Sequence, residues 1–260
     1  MSTSREDRTA RWLRPCRPPS NRSAARLVFL PPAGGTVRTL DALATRLPAD
    51  IGVYAVQYPG RQDRYGEPFP QRIEEMVAPI VQALTAFIGE PLIVFGHSMG
   101  AYVAYETALA LERRFGSVVH LLVVSGAVAP HRKGIGATHT LPDARLAAEV
   151  RRVNPDFADL LAQPDLVDLL LPMIRADYRL FEQYRKSEPV AVRAPLLVVS
   201  GRADPEIDGA DLGEWAACAD AGADVRLLPG GHFYLTEDAG PVAELMAERL
   251  SALGHRRRAG

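Results

Sequence analysis

Short apolar runs bounded by glycine or proline recur along the chain and alternate with segments whose apolar residues follow helical spacing. Such near-continuous apolar runs are typical of strands buried on both faces of a parallel sheet. The runs are RLVFLPP, VYAVQYPG, PLIVFGH, VVHLLVVSG, APLLVVSG and DVRLLPGG. Their alternation with helices predicts an α/β fold, with a mostly parallel central sheet and helices on both faces.

The alternation is interrupted once, between the LLVVSG run that ends at Gly126 and the one that ends at Gly201. This interval is far longer than an ordinary connection and carries helical patterns, so we interpret residues 130–185 as a helical lid insertion. Its apolar side chains either line a pocket or pack the lid onto the body. They include Leu169, Met173, Ile174, Leu180 and Phe181.

The length of 260 residues fits one α/β domain with an insertion, and we assign that domain to residues 26–253. Residues 1–25 are polar and rich in arginine, which predicts a disordered or loosely ordered tail. They lack the apolar segment of a signal peptide. Residues 254–260 are interpreted as a solvated C-terminal tail.

The charge balance excludes a general affinity for nucleic acid or for an anionic membrane. The chain has 30 Lys and Arg against 31 Asp and Glu, a formal net charge of −1. Its apolar runs are too short to span a bilayer. Cys16 and Cys218 are too few for a disulfide framework and lack metal-ligand spacing. We expect a cytoplasmic monomer without metal or cofactor.

The strongest local motif is Gly96-His97-Ser98-Met99-Gly100, a GxSxG sequence between a predicted strand and a predicted helix. In the α/β-hydrolase fold this context forms a sharp turn that exposes the serine hydroxyl above the sheet. The following helix directs its amide end toward the negative charge that develops during acyl transfer. The motif predicts an α/β-hydrolase with Ser98 as its nucleophile, and the alternative is a purely structural turn.

A serine hydroxyl needs a base and an orienting acid, which follow the serine in the order acid, then histidine. His232 comes directly after the last predicted strand, where this fold carries its base. Asp204 is the first carboxylate after the strand that ends at Gly201, with Glu206 and Asp208 as alternatives close by. The sequence therefore predicts Ser98, Asp204 and His232 as a catalytic triad.

Acyl transfer also requires two backbone N–H donors for the oxyanion. Met99, directly after the nucleophile, supplies one. The second is expected from the loop that begins at Pro31 and Pro32, and proline has no amide hydrogen. Either Ala33 or Gly34 is then the second donor.

Taken together, these segments resemble the type II thioesterases that accompany polyketide synthases and nonribosomal peptide synthetases. The resemblance covers most of residues 27–250. The chain departs from the pattern at Pro32, where the family usually has a histidine. The matching residues are Pro32 to Gly35, Gln57 to Arg61 with Arg64, Gly96 to Gly100, Leu171 to Asp177, Trp215, and Gly230 to Phe233.

The resemblance implies hydrolysis of acyl groups from the phosphopantetheine arm of acyl or peptidyl carrier proteins, without a metal or redox cofactor. It also implies a triad of Ser98, Asp204 and His232, with Ala33 and Met99 as the oxyanion donors. Two enzyme alternatives share this triad, an acyl-CoA thioesterase and a general carboxylesterase. An alternative of another class is a non-catalytic protein of the same fold that only binds carrier proteins.

Overall fold

The computed structural model describes residues 5–17, 24–154 and 157–258. Within them one sheet has seven strands, in the order β1-β3-β2-β4-β5-β6-β7. All neighbouring strands are parallel except β1, which runs antiparallel to β3. The strands are β1 Leu13–Pro15, β2 Ala25–Leu30, β3 Ile51–Val56, β4 Leu92–His97, β5 Val119–Ser125, β6 Leu196–Gly201 and β7 Ala223–Leu228.

Helices cover both faces of the sheet, as the sequence predicts. The described α-helices, including those of the insertion, are α1 Arg5–Trp12, α2 Asp41–Arg46, α3 Ile73–Leu84, α4 Met99–Phe115, α5 Asp143–Val153, α6 Phe157–Leu160, α7 Pro164–Gln183, α8 Tyr234–Glu237 and α9 Ala239–Arg258. Alternate residues of the strands point to opposite faces. Val28 and Leu30 pack with α3 and α4, whereas Leu27 and Phe29 pack with α2 and α9. No described helix has both the length and the apolar character needed to cross a membrane.

The N-terminal segment differs from the loosely ordered tail that the sequence predicts. Residues 5–15 form α1 and β1, and Leu13 is buried opposite Val56 of β3. The Arg64 guanidinium lies 4.2 Å from the centroid of the Trp12 ring. Without β1, strand β3 would present an unpaired edge, and a short antiparallel strand covers it. Residues 1–4 and 18–23 of the expected tail lie outside the described residues.

The C-terminal segment also differs from the expectation. Helix α9 continues to Arg258, so residues 254–258 are helical where the sequence predicts a tail. Residues 259–260 lie outside the described range.

The insertion between β5 and β6 has an apolar core of its own. Met173 and Ile174 of α7 are buried against residues of α5, including Leu146 and Val150. Leu180 instead belongs to the core of the main body. Helix α7 therefore joins two cores, one within the lid and one beneath it.

Candidate active site

Ser98 occupies a sharp turn between β4 and α4. Its backbone has φ 54° and ψ −120°, a conformation that non-glycine residues rarely adopt. The flanking glycines are required by close packing. A Cβ on Gly96 would lie 2.0 Å from the carbonyl oxygen of Gly100, and a Cβ on Gly100 would lie 2.0 Å from that of Leu30. The turn therefore holds the serine side chain out from the carboxyl end of the sheet.

Asp204 and His232 are in direct contact. His232 Nδ1 lies 2.8 Å from Asp204 Oδ2, and the Asp204 side chain is fully buried. The Ser200 hydroxyl donates to the same carboxylate oxygen at 3.1 Å, and the Glu206 N–H donates to the other at 2.9 Å. These three contacts fix the orientation of both the carboxylate and the imidazole ring.

The loops after β6 and β7 are bonded to each other, which explains why these two residues meet. The Ala203 N–H donates to the Gly230 carbonyl at 3.0 Å. A Cβ on Gly201 would lie 2.0 Å from the Gly231 carbonyl oxygen, so only glycine permits this approach. Because the parallel strands end at one edge of the sheet, residues that follow neighbouring strands are placed side by side.

The two alternative acids do not contact His232. Glu206 is bound to Arg152 at the surface. Asp208 Oδ1 accepts the Ala210 N–H at 3.0 Å and caps the short helical segment that follows. Among the three carboxylates that the sequence offers, the structure brings only Asp204 to the histidine.

His97 lies behind His232 and is completely buried. The two ring centroids are 5.1 Å apart, and His97 Nδ1 is 2.9 Å from the Ser125 hydroxyl. The Ser125 hydroxyl in turn lies 2.7 Å from the Tyr234 hydroxyl. Burial, followed by the neighbouring His232, holds the pKa of His97 well below its usual value of 6.5. His97 is thus a neutral packing partner of the His232 ring.

We expect the free energy of unfolding to decrease as the pH falls below about 6.5. Below this pH the unfolded chain binds a proton on His97 that the folded chain excludes, so stability rises with pH. The slope from this one group is about 1.4 kcal/mol per pH unit. Urea unfolding between about pH 5 and about pH 8 measures it, and His97→Asn should remove it. Ser125→Ala, which keeps the imidazole, should retain it, and equal slopes in wild type and His97→Asn would contradict the prediction.

The structure distinguishes the two amides of the loop after β2. The Gly34 N–H donates to Asp177 Oδ2 at 2.8 Å, in a buried contact with the lid. Ala33 lines the same cavity as Ser98. Met99 is the first residue of α4, where a backbone N–H has no partner within the helix. Of the two amides that the sequence leaves open, Gly34 is therefore engaged elsewhere.

Ser98 and His232 line two cavities together. One measures about 190 Å³ and is bounded by Tyr102, Lys133 and Phe181. The other is a narrow space of about 30 Å³ beneath Phe157. It shares Pro32, Asn154, Phe157 and Phe233 with a cavity of about 660 Å³, which is lined by the lid, the loop after β2 and the segment after β3. Ser98 and His232 thus border open cavity space beneath the lid.

The expected lid lies over Ser98. Phe157 and Phe181 from this insertion face Ser98, and Leu169 and Met173 line the large cavity. Ile174 is packed against the loop after β2. Some apolar lid residues, such as Leu169, therefore line a cavity, whereas others, such as Leu180, pack the lid onto the body.

Two residues near the site were singled out in the sequence only as matches to the family pattern, without a role. Arg61 follows β3 and Asp177 lies on α7, and their side chains form a buried ion pair of 2.7 Å. They lie 116 positions apart in the chain. Asp177 is one of three aspartates in α7, and no local sequence signal identifies Arg61 as its partner.

Hydrolases of the α/β-hydrolase fold carry their serine in this kind of turn, followed along the chain by the acid and the histidine, and the protein falls in that class. More narrowly, it belongs to the thioesterase family, whose thioesterase domain matches residues 25–252. It is a hydrolase that acts on thioesters.

The proteins that it resembles include thioesterases of biosynthetic pathways, one of them a combined nonribosomal peptide and polyketide pathway. The thioesterase PikA5 of Streptomyces venezuelae is 35% identical over 92% of this chain and 85% of its own length. The type II thioesterase BorB of the borrelidin cluster is 35% identical, with a TM-score of 0.80 over 92% of this chain and 96% of its own. YbtT, the type II thioesterase of the yersiniabactin pathway, is 28% identical, with a TM-score of 0.84 over 93% of this chain and 99% of its own.

Proposed function

We propose that the protein is a type II editing thioesterase that removes acyl groups from the phosphopantetheine arm of acyl or peptidyl carrier proteins. The observation that carries this proposal is the bonded Asp204 and His232 pair beside Ser98 beneath the lid. Support for the carrier-linked substrate comes from the relatives, which include thioesterases of polyketide and nonribosomal peptide assembly. The cytoplasmic location expected from the cysteine content is part of the same proposal.

In the proposed reaction Ser98 Oγ attacks the thioester carbonyl while His232 Nε2 accepts its proton. Asp204 accepts the hydrogen bond from His232 Nδ1 and stabilises the imidazolium. The carbonyl oxygen becomes an oxyanion bound by the Met99 and Ala33 N–H groups. Of the two amides after β2, we assign Ala33, since the Gly34 N–H is already bonded to Asp177.

When the tetrahedral intermediate collapses, the carbon–sulfur bond breaks and the proton on His232 passes to the departing sulfur. This step leaves an acyl-enzyme ester on Ser98 and a free carrier thiol. A water molecule then attacks the ester, with His232 again accepting and returning the proton, and the carboxylic acid leaves. The thiol is a good leaving group and the charge rests on the oxyanion, so the proposed reaction requires no metal or redox cofactor.

A comparison of substrates that share one acyl group tests the proposal. Butanoyl groups are presented on a carrier protein, on coenzyme A and on a p-nitrophenyl oxygen ester, and kcat/KM is measured for each. We expect the carrier-linked thioester to be preferred by about tenfold or more, because contacts with the carrier add binding energy that the small substrates lack. Preference for the CoA thioester or for the oxygen ester would instead support an acyl-CoA thioesterase or a carboxylesterase.

A serine-directed fluorophosphonate probe tests the alternative of another class. A protein that only binds carrier proteins has no need of an activated serine, whereas the proposed enzyme should be labelled at Ser98. Labelling is located by peptide mass spectrometry, with Ser98→Ala as the unlabelled control. Binding to a carrier protein without labelling would favour the non-catalytic alternative.

A further inference from the structure

A buried ion pair joins α7 of the lid to the segment that follows β3, beside the loop that follows β2. Arg61 Nη2 lies 2.7 Å from Asp177 Oδ1, and Nη1 lies 2.9 Å from Oδ2, so the two side chains form a two-point contact. Their side chains are 3% and 4% exposed. The pair therefore connects α7 to the body of the protein in surroundings shielded from water.

Both members of the pair also bind the backbone of that loop. Asp177 Oδ2 accepts the Gly34 N–H at 2.8 Å, and Arg61 Nη1 donates to the Gly35 carbonyl at 3.0 Å. The loop is held at its other end by the Tyr58 hydroxyl, which donates to the Pro31 carbonyl at 3.2 Å. The position of the intervening residues thus depends on side chains from two other elements.

Helix α7 also packs directly onto the loop. Gly34 has φ +71°, and a Cβ at this residue would lie 3.2 Å from Ile174 Cγ1. Ile174 and Asp177 are three residues apart and share one face of the helix. That face supplies both an apolar contact and a hydrogen-bond acceptor to the same glycine, so the loop has little freedom while α7 is in place.

We propose that Arg61 and Asp177 are positioning residues of the oxyanion hole, and that the hole is complete only while α7 is docked on the loop. This inference rests on the proposed function, since it takes the Ala33 N–H as an oxyanion donor. The Pro32 carbonyl, whose peptide plane carries the Ala33 N–H, accepts the Gly35 N–H at 2.9 Å. Asp177 holds the Gly34 N–H and Arg61 holds the Gly35 carbonyl, so the pair sets the direction of the Ala33 N–H through these two glycines.

Because Arg61 and Asp177 carry opposite charges, the loss of one should affect the oxyanion differently from the loss of the other. The Asp177 carboxylate is bonded to the residue next to the proposed donor, where a negative charge opposes the developing oxyanion. Arg61 neutralises this charge. Losing the arginine alone leaves a buried, unpaired carboxylate beside the hole, which is worse than losing both charges together. A purely structural pair would show this asymmetry in stability alone, whereas a positioning pair also shows it in kcat and in the affinity for an oxyanion analogue.

The test compares Asp177→Asn, Arg61→Gln and the double variant in the full chain. For each, kcat and KM are measured on the N-acetylcysteamine thioester of butanoic acid. Two affinities are measured in parallel. Butylboronic acid forms a tetrahedral adduct with the serine and places an oxygen in the oxyanion hole, whereas the thioether analogue of the substrate binds without forming an oxyanion.

We expect Asp177→Asn to lower kcat by about 10-fold to 100-fold and Arg61→Gln by about 10²-fold to 10³-fold, with KM changed by less than about threefold. Boronate affinity should fall in parallel while thioether affinity stays the same. The loss of kcat in the double variant should be smaller than in Arg61→Gln alone.

Arg175→Gln is the matched control. Arg175 lies on the same helix and is paired with Asp143, without contacting the loop after β2. It should leave kcat and boronate affinity near wild type. A loss of thioether affinity equal to the loss of boronate affinity, or additive losses in the double variant, would overturn the proposal in favour of a purely structural brace.

Thermal unfolding identifies variants that fail to fold. If Asp177→Asn does not fold, Asp177→Glu replaces it, because glutamate keeps the charge but displaces the oxygen that accepts the Gly34 N–H. If no variant at either position folds, the pair is a structural brace and the proposal is overturned. Fluorophosphonate labelling of Ser98 separates this outcome from failure of the proposed function. If Ser98 is labelled and kcat is unchanged in Asp177→Asn, only the positioning role is excluded. If Ser98 of the wild-type protein is not labelled, the proposed mechanism itself is excluded.

Discussion

Ser98→Ala is expected to lower kcat by about 10⁴-fold or more while leaving the fold intact. The substitution deletes the attacking oxygen but keeps the Cβ, so the turn with φ 54° is preserved. Turnover of a carrier-linked or small thioester measures the loss, and thermal unfolding checks the fold.

Ser125→Ala is the matched control for this prediction. Ser125 is a fully buried serine whose hydroxyl is bonded to His97 and Tyr234. Its loss removes hydrogen bonds and lowers stability by about 1 to 3 kcal/mol, but leaves the proposed nucleophile in place. A folded Ser98→Ala variant with turnover within about tenfold of wild type would exclude Ser98 as the nucleophile.

Asp204→Asn is expected to lower kcat by roughly two to four orders of magnitude with little change in KM. The carboxylate accepts bonds from Ser200, from the Glu206 amide and from His232 Nδ1. An asparagine fills the same space, but its NH₂ group donates to Nδ1. The histidine then carries its proton on Nε2, facing Ser98, where it cannot act as a base.

Glu206→Gln and Asp208→Asn are the controls for the acid, measured for kcat on the same thioester. Glu206 pairs with Arg152 at the surface, and Asp208 caps a local backbone N–H. Both variants should behave nearly like wild type, since neither carboxylate contacts His232. A large loss in Glu206→Gln together with a small loss in Asp204→Asn would assign the acid to Glu206 and leave Ser98 and His232 unaffected.

Much of the fold could be predicted from the sequence because its signals are local. Each parallel strand is an unbroken apolar run, and the turn around Ser98 carries its own glycines, so both can be recognised without knowledge of neighbours. Asp204 and His232 each follow a strand directly. In a parallel sheet those positions share one edge, which makes their proximity a consequence of strand order.

The N-terminal segment could not be predicted in this way. Its polar, arginine-rich composition indicates a tail, yet Leu13 is buried where β1 pairs with β3. That pairing depends on the free edge of a strand formed by residues 51–56, which nothing within residues 1–25 reveals.

The sequence by itself determined where the strands lie along the chain and the sharp turn at Ser98. It also placed Ser98, Asp204 and His232 after the ends of strands. The tertiary structure showed that Asp204, the acid that the sequence predicts, contacts His232 while Glu206 and Asp208 do not, and it alone showed that the Gly34 amide is occupied by Asp177. The physical reason is the separation along the chain over which each kind of signal acts. Apolar periodicity and turn glycines act within a few residues, whereas the contact between Arg61 and Asp177 joins positions 116 apart that meet only when the lid packs onto the sheet.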